Sequence, residues 1–142
     1  MAKTLNYGDI GYEAATFKVD DTTIAYLKAN YTDAAARRVD VNGKKLAVAL
    51  TGDNTVGFGA STPTASNALF GIIIAYEEDG YASVQYKGFV EDIDVAGAIA
   101  LGTKTLAVNN KGEISSVNDA AGRGIVTKAA TSDDKTVTIY IG

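Results

Sequence analysis

Short segments in which apolar and polar residues alternate recur along most of this sequence, and turns rich in glycine, asparagine and aspartate separate them. Asp79-Gly80, for example, lies between the apolar run 72–76 and the alternating segment 82–87. Strand signals spaced roughly eight to twelve residues apart are typical of an antiparallel barrel or sandwich. The 15 glycines and the single proline suit a chain with many tight turns. We therefore predict an all-β fold, an antiparallel β-barrel or β-sandwich.

Further turn signals support the same fold class. Asn42-Gly43 lies between two short apolar segments, and an Asn-Gly pair accommodates the positive φ angles of a type I′ turn. This pair therefore predicts a β-hairpin. Residues 109–112 separate two further strand signals, 106–108 and 113–117, and residues 136–141 alternate as a half-buried strand should.

The sequence also resembles itself. Residues 71–88 align with residues 124–142, and each window begins with Gly-Ile and ends with a glycine after an alternating strand. Upstream, residues 46–52 align with residues 106–112, each beginning Leu-Ala-Val and ending at a glycine. We predict that the two copies are similar β-meanders whose apolar faces close on each other to form the barrel.

The predicted organisation is one barrel domain preceded by a different kind of segment. Residues 39–142 form the barrel, built from the halves 39–88 and 89–142. Residues 1–38 have mixed polarity and irregular spacing, and only two short stretches look weakly helical. We predict that they form an irregular arm or edge segment with little helix, and that this segment attaches the domain to a partner.

The residue types that the chain lacks exclude many activities. The sequence contains no His, Cys or Trp, which excludes Ser-His-Asp and Cys-His nucleophiles, imidazole or thiolate metal ligands and disulfides. Asp92 and Asp94 alternate with Ile93, and paired carboxylates can act as acid and base or hold a cation. We expect a solvated strand face there. We predict no enzyme activity, catalytic residue, metal site or cofactor; a hydrolase built on carboxylates alone is the minor alternative.

The net charge and the length of the apolar runs indicate which partners the chain can bind. The sequence has thirteen Lys and Arg and seventeen Asp and Glu, a net charge of -4, which would repel a nucleic-acid backbone. The longest apolar run, 68–75, is far shorter than the roughly twenty residues that cross a bilayer, and no N-terminal signal is visible. We therefore expect neither a nucleic-acid partner nor a membrane.

Aromatic residues are concentrated in the N-terminal segment, where no strong core pattern accounts for them. Aromatic residues and arginine are enriched at the centres of protein interfaces, so we predict that these residues bind a partner. Arg37-Arg38 is the only adjacent arginine pair, and it either contacts an acidic strip or ends a helix in solvent. The partner-binding candidates are Tyr7, Tyr12, Phe17, Tyr26, Tyr31, Arg37 and Arg38.

One half-repeat recurs in the C-terminal part: Gly-Ile followed by Val or Ile, an acidic or small turn, an alternating strand and a closing glycine. It occurs in residues 71–88 and 124–142, with the glycine-spaced segment 96–102 between them. In this pattern residues 39–142 resemble the small capsid decoration, or cement, proteins of tailed bacteriophages. The resemblance implies a compact β-domain that binds the major capsid protein on the outside of the head and strengthens the shell.

The resemblance also implies a location. It implies a virion protein that lies on the outer capsid surface and is made in the host cytoplasm. Other copies of the same chain are a second candidate partner. The alternative function is a carbohydrate- or receptor-binding β module of a phage tail or head fibre. Tyr76, Tyr81 and Tyr86, spaced five apart, either form an exposed row for such a ligand or pack at the edge of the core.

Overall fold

The computed structural model describes residues 12–77 and 79–142, which consist mainly of β-strands joined by short turns. The strands are β1 (Glu13–Val19), β2 (Ala47–Gly52), β3 (Thr55–Gly57), β4 (Leu69–Tyr76), β5 (Tyr81–Asp94), β6 (Leu106–Val108), β7 (Ile114–Ser116), β8 (Ile125–Lys128) and β9 (Thr136–Ile141). The helices are α1 (Asp21–Asn30) and α2 (Arg37–Lys44), with a short 3-10 turn at Ala65–Asn67. The predicted all-β fold class is confirmed.

Five strands form a closed barrel in the order β1-β3-β2-β4-β5, and β1 closes it by pairing with β5. β1 runs parallel to β3, with Lys18 opposite Thr55, and antiparallel to β5, with Thr16 opposite Ser83. β5 is 14 residues long, and its C-terminal half pairs with β9, which in turn pairs with β8. β6 and β7 form a separate hairpin. The strands from β6 to β9 therefore extend the barrel on one side.

β2 and β4 are buried on both faces. Val48 and Ile73 lie in the core enclosed by the barrel, whereas Ala47 and Ile72 lie in a second core that β2 and β4 share with the extension. A strand covered on both faces shows a continuous apolar run instead of alternation, and this explains the sequence of Leu69–Tyr76. The barrel core consists of Val19, Leu27, Val41, Leu46, Val48, Val56, Ile73, Tyr76, Ala82 and Val84.

The prediction that two similar halves close the barrel on each other is wrong. The closed barrel runs from β1 to β5, and it depends on β1, which lies outside both predicted halves, 39–88 and 89–142. The aligned windows do form matching antiparallel hairpins, β4–β5 and β8–β9. Because β1 already pairs with both β3 and β5, the second half packs outside the ring.

The prediction of an irregular N-terminal segment is wrong for the part that the structure describes. Residues 12–38 contain β1, α1 and the start of α2, so the predicted domain boundary after residue 38 lies inside a helix. α1 begins after Asp20, whose Oδ1 accepts a hydrogen bond from the Thr23 N–H at 2.7 Å. An N-cap of this kind stabilises the first turn, and Leu27 then anchors α1 in the barrel core.

Asn42 and Gly43 lie in α2, so the hairpin predicted at this pair is also wrong. α2 is followed by Lys45, which has a left-handed φ of 53°. Val41 is fully buried in the barrel core, and Oδ1 of Asn42 accepts a hydrogen bond from the Tyr76 N–H at 2.6 Å. These tertiary interactions outweigh the local turn preference of the Asn-Gly pair.

Replacing Gly43 with alanine is expected to raise the free energy of unfolding by about 0.5–1 kcal/mol, because glycine inside a helix loses more backbone entropy on folding. An added Cβ at Gly43 meets no atom within 4 Å. Urea denaturation measures the change. Gly80→Ala is the matched control, since Gly80 has a φ of 90° and the same substitution there should destabilise the protein. A loss of stability in Gly43→Ala would contradict the helical assignment.

The other predicted turns are confirmed. Asp79 and Gly80 lie between β4 and β5, and residues 109–112 lie between β6 and β7. Gly80 and Gly112 have φ angles of 90° and 77°, which glycine adopts without steric cost. The alternating segment 136–141 forms β9.

Candidate partner-binding surface

The residues predicted to bind a partner lie in two separate places, and Tyr7 lies outside the described residues. Phe17 lies in β1, and Tyr12 is the residue just before this strand. Tyr12 is 61% exposed. The remaining four lie on or between the two helices: Tyr26, Tyr31, Arg37 and Arg38. The structure therefore separates the predicted set into a strand group and a helical group.

Tyr26 and Tyr31, in the helical group, are half-buried. The Tyr26 ring packs edge-on against Phe58, with the centroids 5.4 Å apart. Burial raises the pKa of the Tyr26 hydroxyl, and the charge of Glu113 adds to the effect. Burial is likewise the largest cause of the raised pKa of Tyr31, followed by the neighbouring Tyr26 hydroxyl and then by Asp40 and Asp94. Both phenols therefore stay neutral at neutral pH, and Tyr26 packs against the protein's own core.

The two arginines of the helical group have different environments. Arg37 is only 8% exposed, and its Nε donates a hydrogen bond to the Tyr31 carbonyl at 2.8 Å. Arg38 is exposed and lies 3.4 Å from a carboxylate oxygen of Glu77, an exposed pair of the kind that contributes little to stability. Beside them is an open groove of about 490 Å³, lined in part by Val39. Arg37 is therefore structural, whereas Arg38 and Val39 are accessible.

A second surface is centred on Phe70 of β4. The Phe17 ring contacts it edge-on at 5.2 Å between centroids, and the Tyr86 ring stacks against it at 6.2 Å with an interplanar angle of 22°. The Arg123 guanidinium carbon lies 5.9 Å from the Phe70 centroid, within the range of a cation–π interaction. Leu50, which is 52% exposed, shares a groove with Phe70 and Arg123. We call these five residues the aromatic face.

The backbone on either side of Arg123 fixes its position. The Arg123 N–H donates a hydrogen bond to the Leu69 carbonyl at 2.8 Å. The preceding residue, Gly122, approaches the Leu106 carbonyl so closely that a Cβ would overlap it. The loop between β7 and β8 is therefore held against β4 and β6, which places the guanidinium over the Phe70 ring.

Arg123 lines two open grooves. One has a volume of about 200 Å³ and is lined by Leu50, Ser66, Phe70 and their neighbours. The other has a volume of about 380 Å³ and includes Lys104 and Tyr140 in its lining. No acidic residue of the described chain lines either groove, although acidic residues outnumber basic ones in the whole sequence. The grooves are therefore apolar and cationic.

β1 presents one backbone edge beside the aromatic face. It pairs with β5 along its length, whereas β3 reaches only Lys18 and Val19. The Lys18 N–H donates to Asn54 on the β3 side, so the Thr16 N–H, two residues earlier, points the same way. Side chains in the first half of β1 are exposed on both faces. An edge of this kind can pair with an extended segment of another chain.

The described residues do not bring together a cluster of side chains that could hold a metal ion. No three His, Cys, Asp or Glu side chains within 12–77 and 79–142 lie close enough together to hold a metal ion. Asp92 and Asp94 are exposed on either side of the buried Ile93, so the solvated strand face expected there is confirmed. In the same part of the chain, no helix combines the length and apolar character needed to cross a membrane.

No protein-family model matches the sequence, and no curated protein matches it. Evidence about function comes instead from the surface chemistry and from the sequence pattern.

Sequence reasoning missed Leu50, Phe70 and Arg123 of the aromatic face. Phe70 lies in an apolar run that indicates a buried strand, and Arg123 lies in a Gly-Arg-Gly segment without a known motif. The Gly-Arg-Gly segment is the one sequence signal that could have indicated Arg123. Glycines on both sides of an arginine allow its backbone to pack closely against neighbouring strands. Of the two alternatives for Tyr76, Tyr81 and Tyr86, the exposed row does not form, since Tyr76 is fully buried whereas Tyr81 is 46% exposed.

Proposed function

We propose that this protein is a decoration, or cement, protein of a tailed-phage virion. It docks on the outer surface of the head, contacts the major capsid protein and stabilises the capsid lattice. The proposal rests on the resemblance of residues 39–142 to that family, and the aromatic face is the observation that carries the binding role. Other copies of the chain are a second candidate partner.

The aromatic face has the composition of a binding hot spot. Aromatic rings and arginine account for much of the energy of protein interfaces, especially near their centres. Contacts among Phe17, Phe70 and Tyr86 already hold the rings in place, so docking orders few side chains and loses little entropy. A shell offers many equivalent sites, and modest binding at each is enough to reinforce the lattice.

The edge of β1 supports the same role. Phe17 belongs both to β1 and to the aromatic face, so a capsid segment that adds a strand to β1 would also contact the rings. This arrangement keeps residues 12–17 in the attachment role predicted for the N-terminal segment. It assigns no binding role to the helical group: Tyr26, Tyr31, Arg37 and Arg38.

Cosedimentation with empty heads of the phage that encodes the protein tests the proposal. We expect saturable binding to expanded heads, at a copy number set by the symmetry of the shell, and weaker binding to unexpanded procapsids. A quantitative gel of the pelleted shells gives the number of bound copies. Absence of binding to both shells would contradict the proposed function.

Leu50→Asp is expected to weaken head binding by at least about tenfold, because it places a charge in the centre of an apolar contact. Leu50 is 52% exposed, so the substitution leaves the cores intact. Val39→Asp on α2 and Leu101→Asp in the extension are matched controls at side chains that are 66% and 68% exposed. Both should bind heads like the unmodified protein. Loss of binding in Val39→Asp alone would move the docking site to the helical group.

A carbohydrate-binding module of a tail or head fibre is the second candidate. The observation in its favour is that Phe70 and Tyr86 are half-exposed rings, and such rings can stack on sugars. A glycan array separates the two functions. Saturable glycan binding together with no affinity for either shell would favour the fibre module.

A further inference from the structure

We infer that Arg123 binds a carboxylate on an extended protein segment that lies along the two grooves beside it. This inference rests on the proposed function and specifies its partner: a stretch of the capsid protein that presents an Asp or Glu between apolar residues. Four properties of Arg123 and of its surroundings lead to it.

The first property is that Arg123 uses little of its hydrogen-bonding capacity. A guanidinium carries five N–H donors, and the Arg123 side chain donates one hydrogen bond, from Nη2 to the Tyr86 carbonyl at 3.1 Å. Its Nε is buried and has no partner. Among the described residues, no carboxylate lies within 4.0 Å of it, whereas the more exposed Arg38 is paired with Glu77. Within the described part of the chain, Arg123 is therefore a half-buried cation without a counter-charge.

The second property is the charge of the grooves. Lys104 adds a second cation to the larger groove, and the described lining residues of both grooves include no acid. In a chain of net charge -4, this is a local positive site. The positive charge of the guanidinium attracts a carboxylate, and its planar set of N–H donors matches the two carboxylate oxygens. Both properties favour a carboxylate ligand at Arg123.

The third property is that Arg123 lines both grooves and is the only described residue that does so. A ligand that occupies both grooves therefore contacts Arg123. An extended peptide suits this arrangement, because it can present one acidic side chain to Arg123 and place neighbouring side chains in the two grooves.

The fourth property is the apolar character of the lining, which distinguishes a protein segment from a sugar. Leu50 and Phe70 line the smaller groove, and Ile125 and Tyr140 line the larger one. Sugars require many polar partners, and apart from Arg123 the described lining offers few polar side chains, chiefly Ser66 and Lys104. Apolar side chains next to a carboxylate match this surface better.

The test begins with a peptide probe and uses the full chain labelled with ¹⁵N. The probe is the acetylated and amidated pentapeptide Ala-Ile-Glu-Ile-Ala, and the control peptide carries Gln in place of Glu. We expect the Glu peptide to shift the Nε–H resonance of Arg123, and the Gln peptide to shift it at least about five times less at equal concentration. Equal shifts by both peptides, no shift at Arg123, or a shift caused by N-acetylneuraminic acid instead would overturn the inference.

Variants extend the test to capsids. Arg123→Gln should weaken binding to expanded heads at least about tenfold, and Arg123→Lys should recover part of the loss because it keeps the charge but not the planar fork. Arg38→Gln makes the same chemical change elsewhere and should bind normally. Thermal denaturation confirms that each variant is folded.

The two assays separate this inference from the proposed function. If the unmodified protein binds heads and Arg123→Gln binds equally well, the inference fails and the proposed function stands. If the unmodified protein binds neither kind of shell, the proposed function fails, and the peptide titration still decides whether Arg123 is a carboxylate site.

Discussion

Ile73→Ala is expected to lower the free energy of unfolding by about 2–5 kcal/mol, because it removes buried methyl groups and leaves a cavity. Ile73 is fully buried in the barrel core. A loss of this size is a large part of the roughly 5–15 kcal/mol by which domains are stable. Ile72→Ala should cost a similar amount, since Ile72 is fully buried in the second core.

Ile74→Ala is the matched control, because Ile74 follows in the same strand but is only half-buried. It should cost clearly less than either neighbour. Urea denaturation followed by circular dichroism measures all three variants. If β4 had only one buried face, Ile72 and Ile74 would lie on the same face of the strand. Their alanine variants would then lose similar amounts of stability, and Ile73→Ala would differ from both. That result would contradict burial of β4 on both faces.

Gly71→Ala is expected to destabilise the protein by about 1–3 kcal/mol, as overpacking of a closely packed site does. A Cβ on Gly71 would lie 2.5 Å from the Gln85 carbonyl oxygen and 2.6 Å from Cγ1 of Val84. Since one of these atoms is backbone of the paired strand, β4 and β5 would have to move apart locally. The hydrogen bonds between two barrel strands would weaken as a result.

Gly97→Ala provides the comparison for Gly71→Ala. Gly97 is exposed, and an added Cβ there meets no atom within 4 Å, so the change should leave the thermal midpoint nearly unchanged. Differential scanning calorimetry measures both variants under the same conditions. Equal midpoints for the two would show that β4 and β5 can absorb a methyl group at Gly71 without loss.

Features encoded by neighbouring residues could be predicted from the sequence. The Asp79-Gly80 turn and the alternating strand 136–141 are signals of this kind, and both are confirmed. Asn42-Gly43 shows the limit of local signals, because burial of Val41 and the hydrogen bond from Tyr76 to Asn42 come from distant parts of the chain. Tertiary contacts therefore decide between helix and turn at this position.

The proposed binding surface was only partly predictable for the same reason. The sequence indicates Phe17 as an aromatic residue outside any core pattern, and Phe17 does lie in the aromatic face. Phe70 and Arg123 are far apart in the sequence and meet only because the loop after β7 packs on β4. No local pattern reports a contact of this kind, so these residues emerged from the structure alone.

The position of β1 in the barrel also sets the order in which the chain can fold. β1 leaves the ribosome first among the described strands, yet its partners lie at residues 55–56 and 81–87. The ring therefore stays open until β5 has been synthesised, while the β4–β5 hairpin can form from neighbouring residues. Closing so long a loop costs entropy before native contacts compensate for it. We therefore expect ring closure to be slower than formation of the β4–β5 hairpin, and the edges of β3 and β5 stay unpaired with β1 until the ring closes.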